Sequence, residues 1–213
     1  MIEIKHKQTG EVLLKVESDS LEGAKFRGAR LEGADLSSMN LSSVDMKNAN
    51  LKDADMTGAL LESASLHSAC LNGADLTGAD LTSADFTDAF LQNCTLVDVK
   101  GQNSILRYAK MEESNFSGAD FRNADLSLSD MRGNLNEANF SNADLRGTDL
   151  RGANLTGANL TGANLTNAKM GDANLTRTKM DGAIGTHGQK LTGGSAGGGF
   201  KKKPKKPWWQ IWD

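Results

Sequence analysis

A large apolar side chain returns at every fifth position over most of this chain. From Leu21 to Leu96, sixteen consecutive positions spaced five apart hold Leu, Phe or Met, and Ala lies two positions before twelve of them. Helices repeat apolar residues near every 3.6 positions and strands near every two, so neither element explains this step. A short fixed repeat instead predicts a solenoid, in which each unit buries its apolar face only against its neighbours.

The two apolar positions of each unit lie two residues apart. In an extended segment, residues two apart point the same way. We therefore predict that both face a shared axis, and that the chain turns before the next unit begins. The residue between them, often Asp or Asn as in Ala34-Asp35-Leu36, then faces outward.

This Ala-(Asp/Asn)-Leu-X-X pattern resembles the pentapeptide repeat family. Its clearest lines are Ala74-Asp75-Leu76-Thr77-Gly78 and Ala153-Asn154-Leu155-Thr156-Gly157. The resemblance implies an all-β fold, a right-handed quadrilateral parallel β-helix with four pentapeptides in each coil. It also implies that residues twenty apart stack, in about eight coils spaced about 4.8 Å apart.

The sequence divides into four segments. The first has the alternation of a β-hairpin, with a turn at Gln8-Thr9-Gly10, and its second strand is expected to lead into the first coil. We expect this hairpin to cover the apolar end of the solenoid. The segments are an N-terminal hairpin cap (1–20), the repeats (21–184), a Gly-rich linker (185–200) and a Lys- and Trp-rich tail (201–213).

The count of five is disturbed at two places. Gly101 stands where a large residue is expected, which predicts a bulge or bend with Val99 taking the space. After Met131 the next large residue is Leu135, so we predict that one residue is lost from a corner near Gly133. Both disturbances are expected to bend the rod or to change a turn.

Composition changes this interpretation little. The hydrophobic fraction of 38% would suggest partial disorder in an ordinary chain, but a solenoid needs only two inward residues in five. Cys70 and Cys94 fall on outward and inward positions, so no disulfide is expected. Without an apolar leader or a membrane-length segment, we expect a bacterial protein of the reducing cytoplasm, with a peripheral place at the inner membrane as an alternative.

The outward positions are where a solenoid carries function. Most Asp and Asn residues there are explained by hydrogen bonds to their own turns, yet an uninterrupted ladder of carboxylates needs solvent or a cationic partner. A third face carries the cations Arg30, Lys110 and Lys169, with the apolar Cys70 and Phe90 between them. Two acidic faces are predicted, one with Asp35, Asp55 and Asp75, and one with Asp45, Asp85, Asp125 and Asp144.

The repeat does not explain the tail. It contains the lysines Lys201, Lys202, Lys203, Lys205 and Lys206, followed by the tryptophans Trp208, Trp209 and Trp212. Four interpretations stay open: a recognition peptide for a protein, for its own last coil or for a second subunit; a reversible anchor on an anionic membrane; a ligand for single-stranded nucleic acid; or a cap. Docking on protein is favoured, and direct nucleic-acid binding is not expected.

Nothing in the chain predicts catalysis, a metal or a cofactor. His6, His67 and His187 lack metal-ligand spacing, and no phosphate-binding loop precedes a helix. We therefore predict a non-enzymatic binding or scaffold protein that acts through its solenoid faces and its tail. The family resemblance implies an alternative, a DNA mimic that protects or inhibits a DNA topoisomerase such as gyrase, since one branch counters quinolones with an acidic rod that dimerises through its C-terminal ends. Long loops are not predicted and the net charge is only −3, and for these two reasons the binding role is favoured over this alternative.

Overall fold

The computed structural model describes residues 1–191, which form an all-β solenoid. Its named strands are β1 (Ile2–His6), β2 (Val12–Val16) and β3 (Ala34–Asp35). The remaining sheet structure consists of single-residue bridges at every fifth residue, all of them parallel except the last, between Ile184 and Lys190. Residues 1–191 contain no helix, and hence none that would span a bilayer.

Most of the parallel bridges join residues twenty apart, and together they form four ladders along the rod. Ladder 1 contains Lys25, Asp45, Ser65, Asp85, Ile105, Asp125, Asp144, Asn164 and Ile184. Ladder 2 contains Arg30, Asn50, Cys70, Phe90, Lys110, Asp130, Asp149 and Lys169. Ladder 3 contains Asp35, Asp55, Asp75, Thr95, Asn115, Asn134, Asn154 and Asn174. Ladder 4 contains Asn40, Leu60, Asp80, Lys100, Asp120, Asn139, Asn159 and Lys179.

A tight turn connects each ladder to the next. The amide of the small residue donates to the carbonyl of the preceding large residue, as from Ala54 to Leu51 at 3.0 Å. The residue before the small one has a positive φ, 54° at Asp53, as a type II turn requires. Gly, Asn, Asp and Ser fill most of these positions, but Tyr108 and Leu128 adopt the same conformation at 59° and 61°. For such bulky side chains this costs about 1–3 kcal/mol each.

The core is one narrow column along the axis. Both predicted inward positions are buried, as at Ala74 and Leu76, which have no exposed surface. Where a hydroxyl replaces Ala, it donates to a nearby carbonyl, as from Ser129 Oγ to Leu126 O at 2.7 Å. The small slots therefore accept Ser because a buried hydroxyl there finds an acceptor in the adjacent turn.

The prediction of a bulge at Gly101 is wrong. Ladder 4 passes through without interruption, and the Gly101 amide donates to Asp120 O at 2.7 Å. The space is filled by the ring of Phe121 in the next coil, which a Cβ at Gly101 would overlap. Val99 is buried, but it is not the residue that replaces the missing side chain. Phe121 also packs against Phe116 and Phe140, at centroid distances of 5.7 and 6.1 Å.

One residue is indeed missing near Gly133. The bridge from Asn115 reaches Asn134, nineteen residues on, and the spacing returns to twenty from Asn134 to Asn154. A Cβ at Gly133 would overlap the carbonyl oxygen of Ser114, so the shortened corner requires glycine for its close approach to the coil before it. All four ladders nevertheless continue past this corner.

A hairpin lies at each end of the described chain. β1 and β2 pair antiparallel, but it is β1, not β2, that joins the first coil, through Lys5 opposite Asp35. At the other end Ile184 bridges Lys190 antiparallel, so residues 185–190 of the predicted linker fold onto the last coil. Leu191 donates to Ala183 O at 2.7 Å, and the described chain therefore ends beside ladder 1.

Candidate interaction surfaces

The structure holds the outward aspartates rigidly. In Asp75, Oδ1 accepts from the Thr77 amide at 2.9 Å and from its hydroxyl at 2.6 Å. Asp85 makes the same pair of bonds with Thr87. One carboxylate oxygen thus closes an Asx turn, as predicted for most of these residues, and the carboxylate is presented in a fixed position on the face.

Ladder 3 contains the first predicted acidic set. Asp35, Asp55 and Asp75 occupy three successive coils, bridged directly to one another. Hydrogen bonds from the Thr57 side chain and amide hold the pKa of Asp55 below its usual range, against its burial, with a smaller contribution from the charge of Lys7. Within residues 1–191, no carboxylate of this set forms a salt bridge with a Lys or Arg side chain.

Ladder 1 contains the second predicted acidic set, but arginines accompany most of its members. Arg27 lies 3.8 Å from Asp45, Arg107 lies 3.6 Å from Asp125, and Arg146 contacts Asp144 at 2.6 Å. Ser65 and Ile105 also interrupt the series. Asp85 is the member of this set for which the described residues provide no ion pair. The two predicted faces therefore differ in how much negative charge they present.

An Asp-X-Arg arrangement neutralises the C-terminal half. The arginine two residues after the aspartate reaches back to it, and at Asp149 the Arg151 Nε and Nη2 donate at 2.9 and 2.6 Å. Hydrogen bonds from this side chain are the main reason why the pKa of Asp149 lies below its usual range, and they outweigh its partial burial. The other pairs are Asp120 with Arg122, Asp130 with Arg132 and Asp144 with Arg146.

Negative charge is therefore concentrated in one part of the rod. Residues 1–100 contain 9 Lys and Arg against 16 Asp and Glu, whereas residues 101–191 contain 10 of each. From 53 to 99 the sequence has no Lys or Arg at all. We name the acidic residues of this range the acidic belt; they are Asp53, Asp55, Glu62, Asp75, Asp80, Asp85, Asp88 and Asp98.

The belt was missed by counting faces, because its members lie on several ladders and on the turns between them. Asp75 belongs to ladder 3, Asp80 to ladder 4 and Asp85 to ladder 1, one per successive unit. Asp53 and Asp98 lie at positive-φ turn positions. The signal that would have found the belt is the absence of Lys and Arg over 47 residues. Only Asp55, Asp75 and Asp85 were among the predicted site residues.

An apolar surface also escaped prediction. Ile105, Tyr108 and Leu128 are 39%, 46% and 51% exposed, and we name these three side chains the corner patch. Ile105 lies on ladder 1, and Tyr108 and Leu128 occupy the same turn in successive coils, on the way to ladder 2. The guanidinium of Arg107 lies 5.5 Å from the centroid of the Tyr108 ring. Large apolar side chains at outward and turn positions were the sequence signal.

The remaining predicted positions carry no chemistry of their own. Cys70 and Cys94 are free thiols, and burial raises the pKa of Cys94 to about 12. His6 Nδ1 accepts from the amides of Gln8 and Thr9 in the hairpin turn. No metal-binding group of side chains occurs within residues 1–191. The predicted tail site from Lys201 to Trp212 lies outside the described residues.

Comparisons with known proteins agree with this architecture. The family profile described as Pentapeptide repeats matches eight copies, over residues 20–58, 59–96, 102–133, 134–172 and 158–184. Among solved structures, a trypsin-treated variant of QnrB1, a plasmid-mediated fluoroquinolone resistance protein, is 21% identical over 76% of this chain and 84% of that chain, with a TM-score of 0.50. HetL, a pentapeptide repeat protein involved in heterocyst differentiation regulation in the cyanobacterium Nostoc, is 28% identical over 80% of this chain and 84% of that chain, with a TM-score of 0.41. No curated protein matches the chain.

Proposed function

We propose a binding role for this chain, which belongs to the pentapeptide repeat family. In this proposal it is a non-enzymatic binding or scaffold protein that presents the acidic belt to a partner protein with a lysine- and arginine-rich surface. The observation that carries this proposal is the run from 53 to 99, which contains eight carboxylates and no Lys or Arg. We also propose that the β-helix is right-handed and has about eight coils, as the family resemblance implies.

The fold suits this role because the charges are arranged before binding. Each aspartate of ladders 1, 3 and 4 within the belt spends one oxygen on its own turn, as Asp80 does with the Thr82 amide at 3.0 Å. The remaining carboxylate surface faces outward on a backbone fixed by bridges in both directions. Binding therefore costs little conformational entropy on the side of these carboxylates, because they are already ordered. Their negative electrostatic field also speeds the encounter with a basic partner.

Charge neutralisation without loss of the turn tests the proposal. Asn already occupies this outward slot at Asn115, Asn134 and Asn154, and Asn154 Oδ1 accepts from the Thr156 amide at 3.2 Å. The belt variant replaces Asp55, Asp75 and Asp85 with Asn. The control replaces Asp130, Asp144 and Asp149 with Asn, which changes the net charge equally but removes carboxylates already paired with arginine.

Two measurements apply to these variants. In affinity capture from a bacterial extract, basic proteins retained by the native chain and by the control should be lost from the belt variant. For a fluorescent decalysine peptide, we expect affinity at low salt to fall about tenfold in the belt variant and to stay within about twofold in the control. Equal losses in the two variants would show that net charge, and not the belt, is recognised.

The topoisomerase alternative has one observation in its favour, the continuous carboxylates of Asp35, Asp55 and Asp75 on ladder 3. The arginine pairs of the C-terminal half weigh against it, because a DNA mimic needs negative charge along its length. The likeness to QnrB1 extends to the fold alone. A gyrase supercoiling assay with a quinolone tests this alternative. If the native chain protects gyrase from the drug, and changing these three residues to Lys abolishes the protection, the topoisomerase function replaces the belt proposal.

The tail enters the proposal as a second contact. Five lysines before three tryptophans fit a protein surface that combines acidic and apolar groups. Changing Trp208, Trp209 and Trp212 to Ala tests whether capture depends on the tail. Anionic vesicles test the alternative of peripheral contact with the inner membrane, and sedimentation tests a homodimer. A cytoplasmic location is part of this proposal.

A further inference from the structure

The corner patch is an apolar surface placed where the repeat normally has polar groups. Its three side chains remain 39–51% exposed, although 54 other hydrophobic residues of the described chain are buried. Among the positive-φ residues other than glycine in residues 1–191, Leu128 is the aliphatic exception and Tyr108 the aromatic one. Bulky residues kept in an unfavourable conformation on a surface point to a contact that favours them.

The described chain ends on the side of the rod that carries this patch. Lys190 and Ile184 extend ladder 1 at its C-terminal end, and five bridges separate Lys190 from Ile105 on the same ladder. At the usual strand spacing this is about 24 Å, and the level of Leu128 is one coil nearer, about 19 Å. The segment that follows Leu191 therefore starts on the same side of the rod as the corner patch.

The length of that segment matches the distance. Trp208 lies seventeen residues after Leu191, and the first part of the connection is rich in Gly. A flexible Gly-rich chain of this length has a root-mean-square span of about 21–25 Å, and the lysines and prolines of residues 201–207 extend it somewhat further. When the span of a connection equals the separation of two sites, the effective concentration of one at the other is highest, in the millimolar range.

The charges are also complementary. Residues 1–191 contain 19 Lys and Arg and 26 Asp and Glu, a net of −7, whereas residues 192–213 contain five Lys and one Asp. Asp88 occupies the same turn as Tyr108 one coil earlier, and Asp85 precedes Ile105 on ladder 1. Carboxylates of the belt thus border the patch on the side away from the C-terminal end. Lys205 and Lys206, two and three residues before Trp208, are close enough in sequence to reach them when Trp208 is on the patch.

We infer that residues 201–213 bind the corner patch of the same molecule. The tryptophans cover Ile105, Tyr108 and Leu128, and the lysines reach Asp85 and Asp88. Aromatic rings gain from offset or edge-to-face contact with Tyr108, and Arg107 adds a cation over that ring. This inference goes beyond the proposed function, because it concerns the chain alone and is tested without any partner.

The protein contains its own optical probe for this contact. Tyr108 is the single tyrosine, and all three tryptophans lie in the tail, so energy transfer from tyrosine to tryptophan reports the distance between patch and tail. The full-length chain with Trp208, Trp209 and Trp212 changed to Phe serves as the donor-only reference. We expect strong quenching of Tyr108 emission in the native chain, and tryptophan emission shifted to shorter wavelength than that of a solvent-exposed indole.

The patch variant carries Ile105→Ser and Leu128→Ser. Serine suits the turn of Leu128, because Ser38 and Ser43 adopt the same positive φ. The matched control is Leu60→Ser, which alters a side chain that is 46% exposed on ladder 4. We expect the ratio of docked to free tail to fall about tenfold or more in the patch variant and to remain unchanged in the control. Circular dichroism melting verifies that both variants are folded.

Three results would overturn the inference. The first is tyrosine emission equal to that of the donor-only reference, with tryptophan emission typical of full solvent exposure. The second is equal transfer in the native chain, the patch variant and the Leu60→Ser control. The third is transfer that disappears on dilution, which would assign the contact to a second copy of the chain. Loss of transfer in the patch variant alone, independent of concentration, supports it even if the belt binds no partner.

Discussion

At Gly101 a ring from the next coil occupies the volume that the missing side chain leaves. A Cβ built there would overlap Phe121, whose ring in turn packs on Phe116 and Phe140. The identity of a residue at one level of the column is thus set by the residue stacked on it, and glycine at 101 and phenylalanine at 121 form one packing unit.

Restoring the repeat at this position should destabilise the protein. Gly101→Leu places a consensus side chain into the volume of the Phe121 ring, and we expect a loss of about 1–3 kcal/mol in unfolding free energy measured by urea denaturation. Adding Phe121→Leu should recover part of that loss, because the two substitutions restore one Leu at each level. Additive effects of the two changes would contradict the shared volume.

The thiol of Cys94 predicts a pH response. Burial is the main cause that raises its pKa from 9.0 to about 12. Its stabilising contribution is complete below the unfolded pKa near 9. It is lost progressively as the pH rises from 9 through about 12, because in this range the unfolded chain releases the thiol proton while the folded chain keeps it. Between these two pH values, the unfolding free energy of the native chain should fall more steeply with pH than that of Cys94→Ala. The expected difference in slope is roughly 1 kcal/mol per pH unit. Cys70→Ala is the control, and an equal effect there would refute the assignment.

At the scale of the structural element, the four Asp-X-Arg pairs show how a repeat changes its surface without changing its core. Asp149 is only 13% exposed at its side chain, and Arg151 supplies two hydrogen bonds from the adjacent turn. The same outward slot of the repeat holds Asp75 in the N-terminal half, where no Lys or Arg of residues 1–191 forms an ion pair with it. One arginine per unit therefore decides whether a coil presents or cancels its negative charge.

Arg151→Gln should show how much the Asp149–Arg151 pair contributes to stability, and how that contribution depends on pH. The depressed pKa of Asp149 contributes stability above its unfolded value near 4, and that contribution is lost as pH falls through the folded value. We expect the variant to unfold at lower urea than the native chain at neutral pH, with the difference disappearing as the pH falls through the folded pKa of Asp149. Arg27→Gln, whose contact to Asp45 is 3.8 Å long, is the control. A difference that persists in acid would mean that the arginine acts by packing alone.

Much of this element-level structure followed from the sequence, for a physical reason. Inward positions must repeat because every coil meets the same narrow column. The stacking of Asp35 on Asp55 also needs the number of units in a coil, and the four units that the family resemblance implies predict it. The filling of Gly101 by Phe121 did not follow, because the space belongs to two coils at once. The pairing of β1 rather than β2 with the first coil depends on how the hairpin folds back, which alternation leaves undetermined.

At the scale of the whole molecule, the rod has unlike halves. Residues 1–100 account for the entire excess of seven negative charges in the described chain, and residues 101–191 balance. This asymmetry was readable from the sequence as the gap without Lys or Arg, but face-by-face counting divided it among ladders. The corner patch lies just beyond the gap, so the junction of the two halves places apolar groups beside carboxylates.

The hairpin at the N-terminal end tests how far a disturbance travels along such a rod. Ile4 is fully buried between the hairpin and the first coil, so Ile4→Asp should detach β1 from Ala34–Asp35. Each coil contacts only its neighbours, and we expect amide exchange in residues 21–40 to accelerate about a hundredfold or more, which corresponds to roughly 3 kcal/mol of local stability.

Peptides around Phe116 and Phe140 should keep their native exchange rates in this variant, and the exposed-turn change Gln8→Asp should leave all peptides unaffected. Mass spectrometry of exchanged peptides distinguishes the outcomes. Uniform acceleration from the first coil to residue 191 would show that the rod opens as a single cooperative unit. A gradient that fades along the ladders would mean that the two halves respond separately, so that a partner bound at the belt leaves the neutral half unchanged.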